Sequence, residues 1–212
     1  MNKPLIDSIK KNHPDITLVM ASKYLEASDF KPYLDAGIRD FGESRVSSLI
    51  EKVNALQGEP ITWHFLGTLQ SKKVKKMIDK IDCLHSLDRL SVAREIEKRR
   101  NRPLSCLIQV NISGEENKHG VSPKQLSTFI ESLEPFRKIE IIGLMGIAKR
   151  SNDDFVIKKQ FALLQSLRDE TAKTLPSCTE LSMGMSEDYQ IAIEEGATML
   201  RLGRILIKEG ML

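Results

Sequence analysis

Several basic and polar residues of this chain directly follow short apolar runs, which is a common arrangement for site residues in α/β proteins. Lys23 comes two residues after the end of the apolar run 18–21. A lysine amine can attack a carbonyl once it loses its proton, and burial lowers the lysine pKa because it disfavours the ammonium form. We therefore expect the Lys23 stem to begin inside a buried mouth. The alternative is a lysine that extends into solvent from a strand end, and this segment alone favours that alternative.

A serine and a glycine near the end of the chain could hold an anion. Ser186 precedes residues 187–195, which have a helical pattern, so Ser186 is placed to be the N-cap of that helix. Gly203 has no Cβ and would let an anion approach the backbone. Either residue alone could be an ordinary cap or loop glycine. Together, Ser186 and Gly203 predict an anion site.

Three further residue types invite a chemical interpretation. Arg201 lies two residues before Gly203, so both occupy one face of a strand, although an arginine paired with a carboxylate on a rim is the simpler expectation. His64 and His85 have no H-x-E or Cys/His metal spacing around them, so we expect hydrogen-bonded polar residues and no metal site. Met185 could wall a flat ligand, but methionine more often fills a core.

A repeating unit must position these residues: an apolar β-branched run, a polar turn and an amphipathic helical stretch. The helical patterns include residues 44–56, 88–100, 123–133 and 155–174. Strands alternating with helices imply parallel pairing through right-handed crossovers. The eight runs begin near Ile16, Ile38, Ile61, Ile81, Leu104, Ile139, Thr179 and Thr198.

Eight units of about 26 residues each suit a single (β/α)8 TIM barrel that occupies residues 1–212 as one domain. A doubly wound open sheet is the alternative, but it usually carries a glycine fingerprint after its first strand, and none follows here. A barrel places its site at the C-terminal ends of the strands and often binds phosphate after strands seven and eight. Polar residues occur at these ends, among them Ser44, His64, Ser86, Asn111, Ser186 and Gly203.

The composition narrows the class of protein. Lysine and arginine number 32 and aspartate and glutamate 29, and this near-balance gives no electrostatic case for nucleic acid. No apolar stretch approaches the roughly 18 residues of a membrane span, and the N-terminal residues lack a secretory apolar region. The three cysteines are odd in number and lie in apolar runs. We therefore expect them to be reduced core residues and the protein to be cytoplasmic.

The strand ends carry a set of motifs in a fixed order along nearly the whole chain. They include Ala-Ser-Lys at 21–23, Phe-Gly-Glu at 41–43, Trp-His-Phe-Leu-Gly-Thr-Leu-Gln at 63–70, Leu-Ser-Met-Gly-Met-Ser at 181–186 and Arg-Leu-Gly at 201–203. In these motifs the chain resembles the pyridoxal phosphate homeostasis protein family, also described as proline synthetase co-transcribed homologues. The third and fourth motifs are highly specific together.

The resemblance implies a fold and a cofactor site. The family fold is a single (β/α)8 barrel like the N-terminal domain of alanine racemase. Lys23 would form an internal aldimine, a Schiff base, with pyridoxal 5′-phosphate. Ser186, Gly203 and Arg204 would hold the phosphate, largely through backbone N–H groups, and Arg201 would face the pyridine nitrogen. Because arginine stays protonated, that nitrogen would stay unprotonated and the cofactor would be a weaker electron sink.

Several positions depart from the usual family pattern, and two of them bear on the cofactor site. Ser44 replaces an asparagine, and Arg204 replaces a threonine or serine, so its hydroxyl contact is lost and a cation takes that place. We expect both changes to tune cofactor affinity without abolishing the Schiff base.

The resemblance implies a cofactor carrier in vitamin B6 homeostasis that is not an enzyme. Catalytic relatives add a base from a second domain, for which this chain has no residues left. The alternatives are a pyridoxal phosphate-dependent amino-acid racemase with this barrel alone and a Schiff-base aldolase for a phosphosugar. Apo pyridoxal phosphate enzymes would receive the cofactor, and the short chain and scattered charge favour a monomer. Whether Lys118 or the lysines of 72–76 form a second aldehyde site stays open.

Overall fold

Eight short apolar runs form parallel strands in the computed structural model, which describes residues 1–115 and 117–207. Each strand pairs with the next one in sequence, and β8 pairs with β1 to close the barrel. Most strand residues are buried because the sheet is covered on both faces, which explains the nearly continuous apolar runs. The strands are β1 (Thr17–Ala21), β2 (Asp40–Glu43), β3 (Thr62–Phe65), β4 (Cys83–Leu87), β5 (Leu104–Val110), β6 (Ile139–Gly146), β7 (Glu180–Ser182) and β8 (Met199–Leu202).

Helices pack around the outside of these strands. The first helix begins after Asn2, whose side chain accepts a hydrogen bond from the Leu5 N–H at 3.3 Å. Asp153 caps the longest helix in the same manner, through the Phe155 N–H. The helices are α1 (Lys3–Asn12), α2 (Lys31–Asp35), α3 (Val46–Ala55), α4 (Ser71–Met77), α5 (Leu90–Arg99), α6 (Leu126–Leu133), α7 (Asp154–Ala172) and α8 (Tyr189–Glu194).

The predicted barrel is confirmed, and each of the eight apolar runs contains a strand. The helical patterns at 44–56, 88–100 and 155–174 correspond to α3, α5 and α7 within two residues at each end. The pattern at 123–133 divides into a 3-10 turn (Pro123–Gln125) and α6. The helix expected over 187–195 is shorter, because α8 spans only Tyr189–Glu194.

The interior of the barrel holds an apolar layer separate from the larger core beneath the helices. Cys83, Leu107, Met145 and Met199 form this layer. Successive residues of a strand point to opposite faces, so His85 and Arg201, two positions beyond Cys83 and Met199, face the same interior. The interior is therefore apolar near the strand beginnings and polar toward the strand ends.

Two general properties of the chain follow from the structure. Cys83, Cys106 and Cys178 are buried and free of disulfide bonds, as predicted for reduced core residues, and burial raises the pKa of Cys178 to about 11. Within the described residues, none of the helices combines the length and the apolar character needed to cross a bilayer.

Candidate functional site

The pairing of the first and last strands brings two predicted site residues to one end of the barrel. In the β1–β8 register Val19 lies opposite Arg201. Two residues further along, a Cβ added to Gly203 would lie 3.2 Å from the Ala21 carbonyl oxygen, so the two backbones meet closely. Lys23 follows two residues after Ala21. Lys23, Arg201 and Gly203 therefore occupy the mouth end of two adjacent strands.

Lys23 itself lies on the rim of that mouth. The strand ends at Ala21 and a turn follows, in which Lys23 is exposed with its ammonium 4.5 Å from the centroid of the Tyr24 ring. The expected burial of the Lys23 stem is therefore wrong. The alternative interpretation, a lysine that extends into solvent from a strand end, describes its position.

A buried ion pair fixes the backbone just before Lys23. Lys52 Nζ lies 2.5 Å from Glu43 Oε1 and donates to the Ser22 carbonyl oxygen at 2.7 Å. The Ser22 hydroxyl donates to the same Glu43 oxygen at 3.0 Å. Lys52 belongs to α3 and resembles any surface lysine of an amphipathic helix, so sequence reasoning missed it. A carboxylate at the buried end of β2, which needs a cation, was the available signal.

Arg201 is buried and held by two hydrogen bonds. Its Nη1 donates to Ser182 Oγ at 2.6 Å and its Nη2 donates to the Gly146 carbonyl oxygen at 2.9 Å. Burial lowers its pKa to about 10, while the charge of Asp188 opposes that shift, so the guanidinium stays protonated at neutral pH. No carboxylate of the described residues hydrogen-bonds to Arg201, so the expectation of a rim ion pair is wrong.

The two histidines lie side by side in the polar part of the interior. His64 Nδ1 is 2.8 Å from His85 Nε2, His64 Nε2 is 3.0 Å from Asp40 Oδ1, and His85 Nδ1 is 2.8 Å from Ser182 Oγ. Hydrogen-bonded polar residues were predicted, and this is confirmed. The Cys83 sulfur lies within 4.8 Å of ring nitrogens of both histidines. Sequence spacing does not reveal this cluster, because His64 lies in β3 whereas Cys83 and His85 lie in β4.

Ser186 does not cap a helix. The N-cap of α8 is Asp188, and Ser186 lies in the turn before it. The Asp188 carboxylate accepts the Met185 N–H at 2.6 Å, which tightens this turn and delays the helix start. Ser186 Oγ accepts instead from the Ile205 N–H at 3.4 Å. The hydroxyl thereby links the loops after β7 and β8, where the anion site is predicted.

Arg204 supplies the cation expected in place of a hydroxyl, but a carboxylate already engages it. Its Nη2 lies 2.7 Å from Glu187 Oε1, and both side chains are about half exposed. Gly203, the residue before Arg204, is buried, and a Cβ added to it would point at Ala21. A side chain at this position would therefore crowd the close approach of β8 to β1.

Loop endings next to the mouth are held by local hydrogen bonds. Ser44 is exposed, and its carbonyl approaches Gly67 so closely that a Cβ there would collide with it. Ser86 is buried and its hydroxyl donates to the Gly67 carbonyl oxygen at 2.6 Å. Gly67 thus joins the endings of β2, β3 and β4.

Asn111 and Met185 complete the predicted set. Asn111 Nδ2 donates to the Glu115 carbonyl oxygen at 2.9 Å and its Oδ1 accepts from Ser113, so the side chain orders its own loop. Met185 is 39% exposed at the rim. A separate groove of about 920 Å³ lies outside the barrel between α6 and α7, beside the first residues of β6 and away from these side chains.

The sequence as a whole matches known proteins along almost all of its length. Residues 10–209 match the family described as alanine racemase, N-terminal domain. A pyridoxal phosphate homeostasis protein of Aquifex aeolicus (strain VF5) is 38% identical over 196 residues, which cover 91% of this chain and 86% of that protein. The chain belongs to the pyridoxal phosphate homeostasis protein family. The predicted resemblance is confirmed.

Solved structures of the family share this barrel. PipY of Synechococcus elongatus PCC7942, solved without pyridoxal phosphate, is 32% identical with a TM-score of 0.91, covering 98% of this chain and 100% of PipY. PipY with pyridoxal phosphate bound aligns at 29% identity and a TM-score of 0.85 over the same shares. An alanine racemase of Clostridium difficile 630, at 16% identity and a TM-score of 0.75, shares the fold alone; the match covers all of this chain and 59% of the racemase.

Proposed function

We propose that this chain binds pyridoxal 5′-phosphate at the mouth end of β1 and β8, holds it as a Schiff base on Lys23, and serves vitamin B6 homeostasis in the cytoplasm. The observation that supports the proposal is the β1–β8 pairing, in which Arg201 lies opposite Val19 and Gly203 lies against Ala21, two residues before Lys23. PipY, a member of the same family, has a structure with pyridoxal phosphate bound.

The residues present fit this cofactor. When bound, pyridoxal phosphate supplies an aldehyde that condenses with amines and a phosphate that carries negative charge. Lys23 presents an accessible amine on the rim, and this amine would hold the aldehyde as a Schiff base, with water as the leaving group. The Lys52–Glu43 pair holds the Ser22 backbone and so orients the following residue. No metal enters this proposal.

Arg201 would suit the pyridine nitrogen as a hydrogen-bond partner, because a guanidinium only donates hydrogen bonds. A protonated guanidinium would hold that nitrogen in its unprotonated, accepting form, and the ring would then be a weaker electron sink. The loops after β7 and β8, joined through Ser186, would enclose the phosphate with backbone N–H groups near Gly203 and Arg204. Met185 lies on the same rim, whereas His64, Ser44, Ser86 and Asn111 support the surrounding structure.

The proposal is tested by the colour and the mass of the purified protein. Added pyridoxal phosphate should give a visible absorbance band, and borohydride should fix a pyridoxyl group on the Lys23 peptide. Lys23→Ala should lose both signals. Lys98→Ala is the matched control, because Lys98 is also exposed but lies in the last turn of α5, at the opposite end of the barrel. A label on Lys118 or on a lysine of 72–76 in place of Lys23 would contradict the proposal.

A carrier and a racemase differ in what they do to amino acids. The curated relatives bear the name homeostasis protein, which favours a carrier. We expect slow exchange of the α-proton of alanine in deuterated buffer and no racemisation above the level of free cofactor. Fast exchange that Lys23→Ala abolishes would establish the racemase alternative. Borohydride trapping of a phosphosugar, with a protein that stays colourless, would establish the aldolase.

We further propose that a monomer passes the cofactor to apo pyridoxal phosphate enzymes. The loaded protein, mixed with an apo enzyme, should restore that enzyme's activity at a higher rate than the Lys23→Ala variant does when both mixtures contain the same total cofactor. A mass near 24.0 kDa in light scattering supports the monomer. Equal rates for the two proteins would argue against delivery.

A further inference from the structure

Five side chains form one continuous hydrogen-bonded chain through the inside of the barrel. Arg201 Nη1 bonds to Ser182 Oγ (2.6 Å), and Ser182 Oγ bonds to His85 Nδ1 (2.8 Å). His85 Nε2 bonds to His64 Nδ1 (2.8 Å), and His64 Nε2 bonds to Asp40 Oδ1 (3.0 Å). We call these five residues the interior chain.

The interior chain runs from the mouth to the opposite end of the barrel. Ser182 is the last residue of β7 and Arg201 lies near the end of β8, whereas Asp40 is the first residue of β2. Ser182, His85, His64 and Arg201 are all buried, and the Asp40 side chain keeps 28% of its surface exposed. The interior chain therefore connects the rear surface of the barrel with the guanidinium in its mouth.

The chemistry of the two ends fixes the direction of every hydrogen bond. A guanidinium only donates and an ionised carboxylate only accepts. With both rings neutral, His64 donates from Nε2 to the Asp40 carboxylate and accepts at Nδ1 from His85 Nε2–H. His85 Nδ1 therefore accepts the Ser182 hydroxyl proton, while the Ser182 oxygen accepts from Arg201. Each ring thus carries its proton on Nε2.

We propose that the interior chain is a one-directional positioning device for Arg201, in which His64 and His85 are both neutral and both protonated at Nε2. This inference rests on the proposed function, because the guanidinium that the interior chain positions is the one proposed to face the pyridine nitrogen. Its internal geometry does not depend on the cofactor. Ser182, His85 and His64 act through Arg201 and are positioning residues.

Adding a proton to the histidine pair breaks this order. A proton on His85 Nδ1 would face the Ser182 oxygen, and the Ser182 hydroxyl would then need a different acceptor. The groups that surround the pair disfavour such a proton near the mouth: His85 faces His64, the Arg201 cation and the neutral Cys83 thiol, whereas Asp40 lies at the far side of His64. Burial, together with the nearby Arg201 charge, lowers the pKa of His85 well below its usual range.

A metal ion on His64, His85 and Cys83 is the competing interpretation of the same atoms. It would need lone pairs on both His64 Nδ1 and His85 Nε2. The interior chain places a proton on His85 Nε2, so the two arrangements exclude each other. The 2.8 Å separation of these nitrogens and the partner found for each remaining ring nitrogen favour the hydrogen bond.

The decisive measurement is the tautomer of each histidine in the unmodified protein. Long-range proton–nitrogen correlation spectra of histidine-labelled protein distinguish a protonated from an unprotonated ring nitrogen. We expect His64 and His85 each to show a protonated Nε2 and an unprotonated Nδ1 at about pH 8, where free imidazole is neutral. A protonated Nδ1 on either ring, or two protonated nitrogens on His85, would overturn the proposal.

Variants then test whether the interior chain acts on Arg201. Ser182→Ala removes the link to Arg201, and we expect His85 to lose its fixed tautomer and the pyridoxal phosphate dissociation constant to rise roughly tenfold, the effect of about 1.4 kcal/mol. Cys83→Ala is the matched control, since it alters the same interior without removing a hydrogen bond of the interior chain. Its tautomers and its affinity should match those of the unmodified protein.

A second pair of variants separates geometry from packing. Glutamine at position 64 can accept with its oxygen and donate with its nitrogen, so His64→Gln should keep the interior chain and the affinity, whereas His64→Leu should weaken affinity as Ser182→Ala does. Equal affinities for both variants would contradict the positioning role. Retention of stoichiometric zinc that Cys83→Ala abolishes would establish the metal interpretation instead. If pyridoxal phosphate does not bind but the tautomers are as stated, only the proposed function fails.

Discussion

His85 is the residue whose ionisation bears most directly on stability. It lies in the barrel interior, and burial together with the nearby Arg201 charge lowers its pKa well below the ordinary value of about 6.5. In the unfolded chain it takes up a proton near that value, while in the folded chain it does not. The unfolded state therefore binds more protons below about pH 6.5, and the folded state loses stability as the pH falls.

We therefore expect His85 to make the unfolding free energy fall by up to about 1.4 kcal/mol per pH unit between about pH 6 and pH 5. Urea unfolding at several pH values measures this slope. His85→Gln lacks the titrating ring, so its slope should be smaller by that amount whatever its absolute stability. Parallel slopes for the two proteins would show that His85 is protonated in the folded state.

At the scale of single residues, sequence reasoning located positions better than environments. Lys23, Arg201 and Gly203 were named from strand ends, and the strands that carry or precede them, β1 and β8, do pair with each other. The exposure of Lys23 and the pairing of Arg204 with Glu187 depend on where the chain turns after each strand. A periodic pattern defines which residues form a strand but contains no information on the direction of the following turn.

The turn between β7 and α8 shows how an element can depend on one backbone conformation. Gly184 has a φ of +87°, and a Cβ on it would lie 2.6 Å from the Ala192 Cβ in α8 and 2.9 Å from Leu200 Cδ2 in β8. Its carbonyl accepts the Arg201 N–H at 3.0 Å. The turn therefore ties α8 and β8 together beneath the predicted phosphate loops.

Gly184→Ala should destabilise the protein strongly. A positive φ costs a non-glycine residue about 1–2 kcal/mol, and overpacking adds about 1–3 kcal/mol. Gly58→Ala is the matched control: its φ is +86°, but nothing lies within 4 Å of the added Cβ, so only the first cost applies. Chemical denaturation of both variants gives the packing contribution as their difference. Equal losses would mean that α8 moves aside freely.

At the scale of elements, the strands were predictable and one helix start was not. Each strand is buried on two sides, so a continuous apolar run marks it clearly. Ser186 has the composition of an N-cap, but Asp188 competes for the same role and binds the Met185 N–H. Two capping residues two positions apart cannot be ranked without the loop conformation, which explains the misplaced start of α8.

For the whole molecule, counting repeated units was enough to predict closure. When eight parallel strands each pair with the next one in sequence, a closed barrel is the simplest arrangement, and β8 does pair with β1. The interior chain was not predictable, because it joins side chains of β2, β3, β4, β7 and β8 across the barrel lumen. Contacts across a closed sheet leave no periodic trace in the sequence.

The seam between β1 and β8 has a consequence for synthesis of the protein. Lys23 leaves the ribosome early, while Arg201 and Gly203 emerge only when almost all of the chain has been made. No nascent chain that lacks β8 can assemble the site. A ligand that binds there stabilises only the fully closed barrel and adds nothing to partly folded forms. Occupancy of the proposed site would thus report that folding of the barrel is complete.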